Sequence, residues 1–254
     1  MVNLYATKTE PTYENFIAVC PHCNYENVYN RVSDLKTREP IDFKEVVCLN
    51  ENCRRAFNIN GDLVAPAYTY LVLDCYKLKR DKRYMYCILN IAQAYEAFFG
   101  LYLRVELLYK PFGRSRSLEL ARLNELAAAL DRRIRTYTYR PLRNIFLNRV
   151  LRENPINLLD ESESIIEGLD GLRDNPSDQA IDGATDRKLA PLLKKLKDSD
   201  IGEARNMVVH KYAYRPSLEQ AEYFIEEARD ILFSLDAIIG PLYDDVQWYY
   251  QTRG

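Results

Sequence analysis

The chain has 254 residues, 47% of them hydrophobic, enough to bury a substantial core in one large domain or two smaller ones. A formal net charge of -2 at pH 7 excludes a globally basic nucleic-acid binder, so any phosphate-facing surface must be local. Six cysteines in so long a chain, behind an opening Met1-Val2-Asn3-Leu4-Tyr5 with no basic-then-apolar leader, do not make a secreted disulfide framework; a cytoplasmic location is expected.

The first informative unit is Cys20-Pro21-His22-Cys23 followed by Cys48-Leu49-Asn50-Glu51-Asn52-Cys53. Two short cysteine pairs fit a tetrahedral metal site in which each pair forms one turn offering two thiolates. β-prone runs, Phe16-Ile17-Ala18-Val19 and Glu45-Val46-Val47, lead into each pair, and Phe57-Asn58-Ile59 follows the second. Phe57 lies where an aromatic ring can pack over a small core. The arrangement resembles a zinc ribbon with Cys20, Cys23, Cys48 and Cys53 as ligands of a structural Zn2+, although the second pair has four intervening residues in place of two. His22 offers a substitute ligand but is read as pointing away from the metal. Such a site stabilises folding and leaves no open coordination position, so its functional use is to present a surface to nucleic acid or a partner.

Gly61-Asp62-Leu63-Val64-Ala65-Pro66 forms a boundary, which gives a ribbon over residues 1–66 and a second domain over 67–254. In the second domain the pattern is helical. Tyr68 to Lys79 and Tyr84 to Tyr109 read as two helices or one long broken one, with Lys79-Arg80-Asp81-Lys82-Arg83 at the join and Ile88, Ile91, Ala92, Tyr95, Phe98, Phe99 and Tyr102 at helical spacing. The most apolar window, Tyr84 to Leu103, is interrupted by Asn90, Gln93 and Glu96, so it reads as a buried helix and no membrane partner is expected. Glu96 is an acid in a mostly apolar stretch, open to a functional role or to an exposed edge position. Cys75 and Cys87 read as small core residues. Lys110-Pro111-Phe112-Gly113 is expected to end the segment.

Ser117 can cap a helix from Leu118 to about Ile134, Arg140 to Arg152 makes another, and Asn154-Pro155 breaks the chain. From Arg104 to Arg152 there are twelve Arg or Lys against four Asp or Glu, and from Glu153 to Asp182 nine acidic residues against one basic. That asymmetry allows a phosphate-facing patch beside a self-masking face, or simply the wet faces of amphipathic helices. Leu158 to Leu169 reads as a short acidic helix, Asp174 to Gly183 as a loop, and Asp186 to Leu196 as a helix kinked by Pro191. Ser217 and Gln220 form a capping box ahead of an apolar stripe from Leu218 to Ile238. No strand pattern and no repeat is visible here, so the fold class is mainly α, an all-α bundle behind the small ribbon.

The segment that carries chemistry is Asp200 to Tyr214. Asp200, with Glu203 three residues on, predicts a capping box, and Pro216 closes the helix. Asn206 and His210 fall at i,i+4 on one face, while Arg205 and His210 lie about 140° apart around an ideal helix. One of only two histidines in the chain, His210 has an unperturbed pKa of about 6.5, which suits acid or base work near neutral pH.

Arg205-Asn206-Met207-Val208-Val209-His210 resembles the Arg, four to six residues, His motif of HEPN domains, the higher-eukaryote and prokaryote nucleotide-binding helical bundles. Asn206 is similar to the polar residue that commonly follows the Arg, and Tyr212 to the further Tyr of the toxin branch. The resemblance covers roughly residues 67 to 254. It implies metal-independent endoribonuclease activity at a cleft between two copies, a homodimer acting on RNA, in a toxin or phage-defence setting. Arg205, Asn206 and His210 would be catalytic. Tyr212 would contact RNA or be silenced by a nucleotidyltransferase, one form a cognate antitoxin takes. A silent HEPN module that binds nucleotide or RNA, and a zinc-ribbon adaptor whose bundle docks protein, remain open on the same residues.

Overall fold

A computed structural model describes residues 14–37, 41, 44–59, 66–114, 120–152, 155–183, 187–211, 214–240 and 242. Gly61 to Ala65, Ser117, Leu118, Asn154, Asp186 and Tyr212 lie outside the described residues. The chain divides into two compact units, Met1–Pro66 and Ala67–Gly254, the first carrying antiparallel β-hairpins and the second helical.

In the first unit β1 (Asn15–Val19) pairs with β2 (Glu26–Asn30), and β3 (Lys44–Val47) pairs with β4 (Ala56–Ile59). Alternation decides which side chains turn inward: Asn27 and Tyr29 from β2, Val46 from β3, Phe57 and Ile59 from β4. With Cys20, Leu35, Ile41 and Cys48 these residues form the core of the unit, and two polar side chains stitch the hairpins together. The buried Asn27 donates to the carbonyls of Ala18 and Tyr25 and accepts from Leu49 N at 2.7 Å, while Tyr29 OH donates to Val47 O at 2.9 Å.

The second unit is built on α2 (Tyr84–Arg104), which α1 (Ala67–Arg80), α5 (Tyr139–Val150), α9 (Ile201–His210) and α10 (Leu218–Ile239) pack against. So many neighbours bury more than one face of α2, from Cys87 to Leu103, and explain its apolar run. Phe99 stacks on Phe146 of α5 at 4.9 Å between centroids, and Tyr68 of α1 meets Phe98 edge-on at 5.1 Å.

The helical path does not stop at Lys110-Pro111-Phe112-Gly113. It passes through a π-helical turn, Val105–Tyr109, into α3 (Lys110–Arg114), with Lys110 N bonded to Val105 O. Proline at 111 has no N–H and its ring crowds the carbonyl four residues back; one i→i−5 bond just before it widens the turn and lets the helix continue.

α4 (Leu120–Ile134) and α6 (Leu159–Glu167) follow, and a 3-10 turn, Gly168–Leu172, extends α6. The expected loop over 174–183 contains α7 (Asp178–Asp182), capped where Ser177 Oγ accepts from Ala180 N. α8 (Leu189–Asp198) carries Pro191 in its first turn, where no intrahelical N–H bond is missing. The capping box at Ser217 and Gln220 is formed.

The acidic segment folds back on the basic one. Arg122 pairs with Glu163, Arg133 with Asp170 at 2.7 Å, and Tyr137 OH donates to Asp170 at 2.8 Å. Two cations of the basic run, Arg122 and Arg133, are thus neutralised by the acidic segment. Buried Arg143 donates to Lys197 O at 2.7 Å and to Asn144 Oδ1, and Asn144 donates to Arg173 O, which ties α5 to the end of α8 and so places the chain that enters α9.

Candidate functional site

The candidate metal centre is assembled by two turns with the same ending. Asn24 N bonds Cys20 O, and Arg54 N bonds Asn50 O, so each second cysteine sits at one place in a tight turn, with the next residue left-handed (Asn24 φ 58°, Arg54 φ 50°). Asn50 thus occupies in the second turn the place of Cys20 in the first. The two extra residues move the ligand back to Cys48, directly at the end of β3. The longer spacing is absorbed in this way, and Asn50 Nδ2 turns its donor to Cys23 Sγ at 3.7 Å.

The Sγ atoms of Cys20, Cys23, Cys48 and Cys53 lie within 4.8 Å of one another and could hold a metal ion. The closest pairs are Cys20–Cys53 at 3.9 Å and Cys23–Cys48 at 3.7 Å, and all four are free thiols. His22 points away, donating from Nε2 to Ala56 O at 3.2 Å. Burial pushes the Cys48 thiol up to about 12. At Cys20 burial acts the same way, but the backbone N–H groups of His22 and Cys23 outweigh it and bring the thiol to about 7. Four clustered thiols resist ionising together unless a cation compensates them.

In the helical unit α9 is pinned at its start and free at its end. Ile201 and Ala204 are buried, whereas Asn206, Val209 and His210 are exposed. Gly202 lies against the ring of Tyr139 so closely that a Cβ there would stand 2.7 Å from Cδ1. The predicted Asp200 capping box does not form. Ser199 Oγ instead accepts from Ile201 N at 3.4 Å and donates to Glu227 Oε2 at 2.5 Å, and Tyr223 OH donates to Glu227 Oε1 at 2.9 Å. Asp200 remains the N-cap without a side-chain bond, and the first helical N–H is met by the Ser199 hydroxyl that Glu227 of α10 engages. Tyr95 and Tyr139 carry their hydroxyls, without protein partners, beside this cluster.

Arg205 is half-buried and donates from Nη1 to Asn206 Oδ1 at 3.2 Å. Glu96 reaches the same region from α2. Its burial raises the carboxyl above the usual range, with the charge of Arg205 pulling the other way, and among the described residues it makes no hydrogen bond or ion pair. Arg205, Asn206 and Glu96 are therefore brought together, and His210 stands exposed at the last turn of the same helix. The sequence left unread the groups that aim α9: Tyr139, Ser199 and Glu227. Only Gly202 was a signal, since glycine inside a helix costs about 1 kcal/mol against alanine and marks close approach.

Among the described residues no helix is long and apolar enough to cross a membrane. No protein-family model matches the chain, and no curated protein or solved structure matches it.

Proposed function

We propose that the first unit is a structural zinc ribbon and that the second is a HEPN-like bundle acting as a metal-independent endoribonuclease. For zinc, the support is chemical and metric. Four thiolates are a closed structural donor set, and a Zn–S length of about 2.3 Å gives a tetrahedral edge of about 3.8 Å. The two closest sulfur pairs, at 3.9 and 3.7 Å, bracket that edge.

For the nuclease, the observation that carries the reading is Arg205 held by Asn206 beside Glu96, with an exposed imidazole one turn on. Cleavage of RNA needs a base to take the 2′-hydroxyl proton and an acid to protonate the departing 5′-oxygen. The 2′-oxygen attacks the adjacent phosphorus and leaves a 2′,3′-cyclic phosphate and a 5′-hydroxyl. Arg205 offers paired donors to the charge that develops on the phosphorane, and Asn206 fixes its direction. His210 takes one proton-transfer role. A second copy supplies the other, which is the reason for a homodimer. Tyr212 would contact RNA, or be the residue that a nucleotidyltransferase or cognate antitoxin modifies. A catalytically silent RNA-binding module is the second reading on the same residues, while the pairing of Arg122 with Glu163 and of Arg133 with Asp170, which leaves less free charge for phosphate, favours the adaptor that docks protein.

The test is cleavage of a mixed RNA pool by zinc-loaded protein in the presence of a chelator too weak to strip the ribbon, against His210→Ala and Arg205→Ala. Cyclic-phosphate ends that vanish in both variants support the nuclease. Intact RNA that is still bound by the wild type supports the silent module. Neither cutting nor binding defeats both and leaves the adaptor.

A further inference from the structure

Two cysteines stand apart from the ribbon. Cys75 is in α1 and Cys87 in α2, and both are fully buried. They face each other across the helical hairpin: Cys75 Sγ lies 3.7 Å from Cys87 O, and Cys87 Sγ lies 3.6 Å from Cys75 O. Crossed contacts of this kind put both sulfurs in one layer between the two backbones. Among the described residues no third cysteine, histidine or carboxylate joins them, since the only such cluster is that of the ribbon. Two thiols without further ligands make a poor metal site and a ready disulfide couple.

We propose that Cys75 and Cys87 are a dithiol modification site that a small two-electron oxidant, hydrogen peroxide, converts to a disulfide linking α1 to α2. Their roles are unequal. Cys75 Sγ also donates to Leu71 O at 3.1 Å, a shorter contact than the 3.6 Å from Cys87 Sγ to Cys75 O, so the proton of Cys75 is the more firmly held. Cys87 is therefore assigned as the attacking sulfur and Cys75 as the resolving one. The Cys87 thiolate takes one oxygen from peroxide as the O–O bond breaks; the other oxygen leaves as hydroxide and is protonated to water. The Cys75 sulfur then displaces hydroxide from the Cys87 sulfenic acid, and its own proton leaves in the second water. Two thiols are oxidised and one peroxide is reduced to two waters. Peroxide is small enough to enter through local opening of α1, which packs on α2 and α10 only among the larger helix contacts. The disulfide would staple the hairpin whose second helix carries Glu96.

The sequence makes the test clean, because Lys77, Lys79, Arg80, Lys82 and Arg83 separate the two cysteines for trypsin and neither resulting peptide contains a ribbon cysteine. Zinc-loaded full-length protein is treated with peroxide, alkylated in denaturant and digested. The expected result is peptides 56–77 and 84–104 joined and two hydrogens lighter, released by dithiothreitol. The oxidised protein should also melt on the order of 5 °C higher than the reduced form. In Cys75→Ser a sulfenic-acid trap should label Cys87, and in Cys87→Ser it should leave Cys75 unlabelled. The proposal is overturned if wild-type Cys75 and Cys87 are both recovered alkylated after peroxide, or if either is found joined to a ribbon cysteine. The wild-type digest decides even where a serine variant fails to fold.

Discussion

Replacing Gly202 by alanine tests the packing that aims α9. Inside a helix this change ordinarily stabilises by about 1 kcal/mol. Here the new Cβ would meet Tyr139 Cδ1 at 2.7 Å and Cε1 at 3.0 Å. The ring has little room to retreat, because Tyr139 is 5% exposed and hemmed in by Tyr95 and Phe99, each at 6.1 Å between centroids. Overpacking of a tight core site costs about 1–3 kcal/mol. The net effect is destabilising by up to about 2 kcal/mol, the sum of that cost and the propensity gain. Gly100 in α2 is the control, since a Cβ there meets nothing within 4 Å, so Gly100→Ala should show the propensity gain alone. The two variants should therefore differ by about 1–3 kcal/mol, which for a unit of this size is roughly 3–10 °C in Tm by calorimetry. In a Tyr139→Leu background, with the ring removed, the gap should shrink. If Gly202→Ala and Gly100→Ala raise Tm together, α9 does not lie on Tyr139 and the placement of Arg205 fails with it.

Three further outcomes follow from single groups. Loading the ribbon with zinc at pH 7 should release roughly three to four protons per metal, since burial holds Cys48 up near 12 while Cys20, near 7, is partly ionised beforehand; titration in buffers of different ionisation enthalpy counts them, and release of one proton or none would rule out a four-thiolate site. Tyr95→Phe and Tyr139→Phe should be neutral or stabilising by about 1 kcal/mol, because each removes a buried hydroxyl without a protein partner; a loss above about 1 kcal/mol in denaturant titrations would mean that water bridges these groups to Ser199 and Glu227. Glu96→Gln should stabilise the helical unit at pH 7. The folded carboxyl titrates above its unfolded value, so the charged form is penalised above the unfolded pKa and the penalty disappears as pH falls below it. The advantage of Gln should accordingly shrink toward pH 4 in paired melting curves, and an advantage that persists there would contradict a buried, unpaired carboxyl.

Some of this architecture is local and was legible in the residues. Two cysteine pairs bounded by β-prone runs determine hairpins that converge on one centre, because a thiolate turn needs only a few residues of chain. The periodic stripe of α10 and its Ser217–Gln220 box needed no distant partner either. Where tertiary contacts compete with local grammar, the sequence misled. Asp200 had the capping spacing, yet its side chain makes no cap bond; the hydroxyl that accepts from Ile201 N is that of Ser199, which is engaged by Glu227, twenty-eight positions away. Pro111 marked a stop, yet a π turn carried the helix past it because α3 adds the buried Phe112 to the core. The basic run from Arg104 to Arg152 invited phosphate until folding set Glu163 and Asp170 against it. By itself the sequence determined the four-cysteine cluster, most of the helices and the Arg205–His210 spacing, since all depend on near neighbours. Only the tertiary structure decided that Glu96 joins Arg205, that Tyr139 holds Gly202 and that Cys75 faces Cys87, because each of these rests on which helix face meets which.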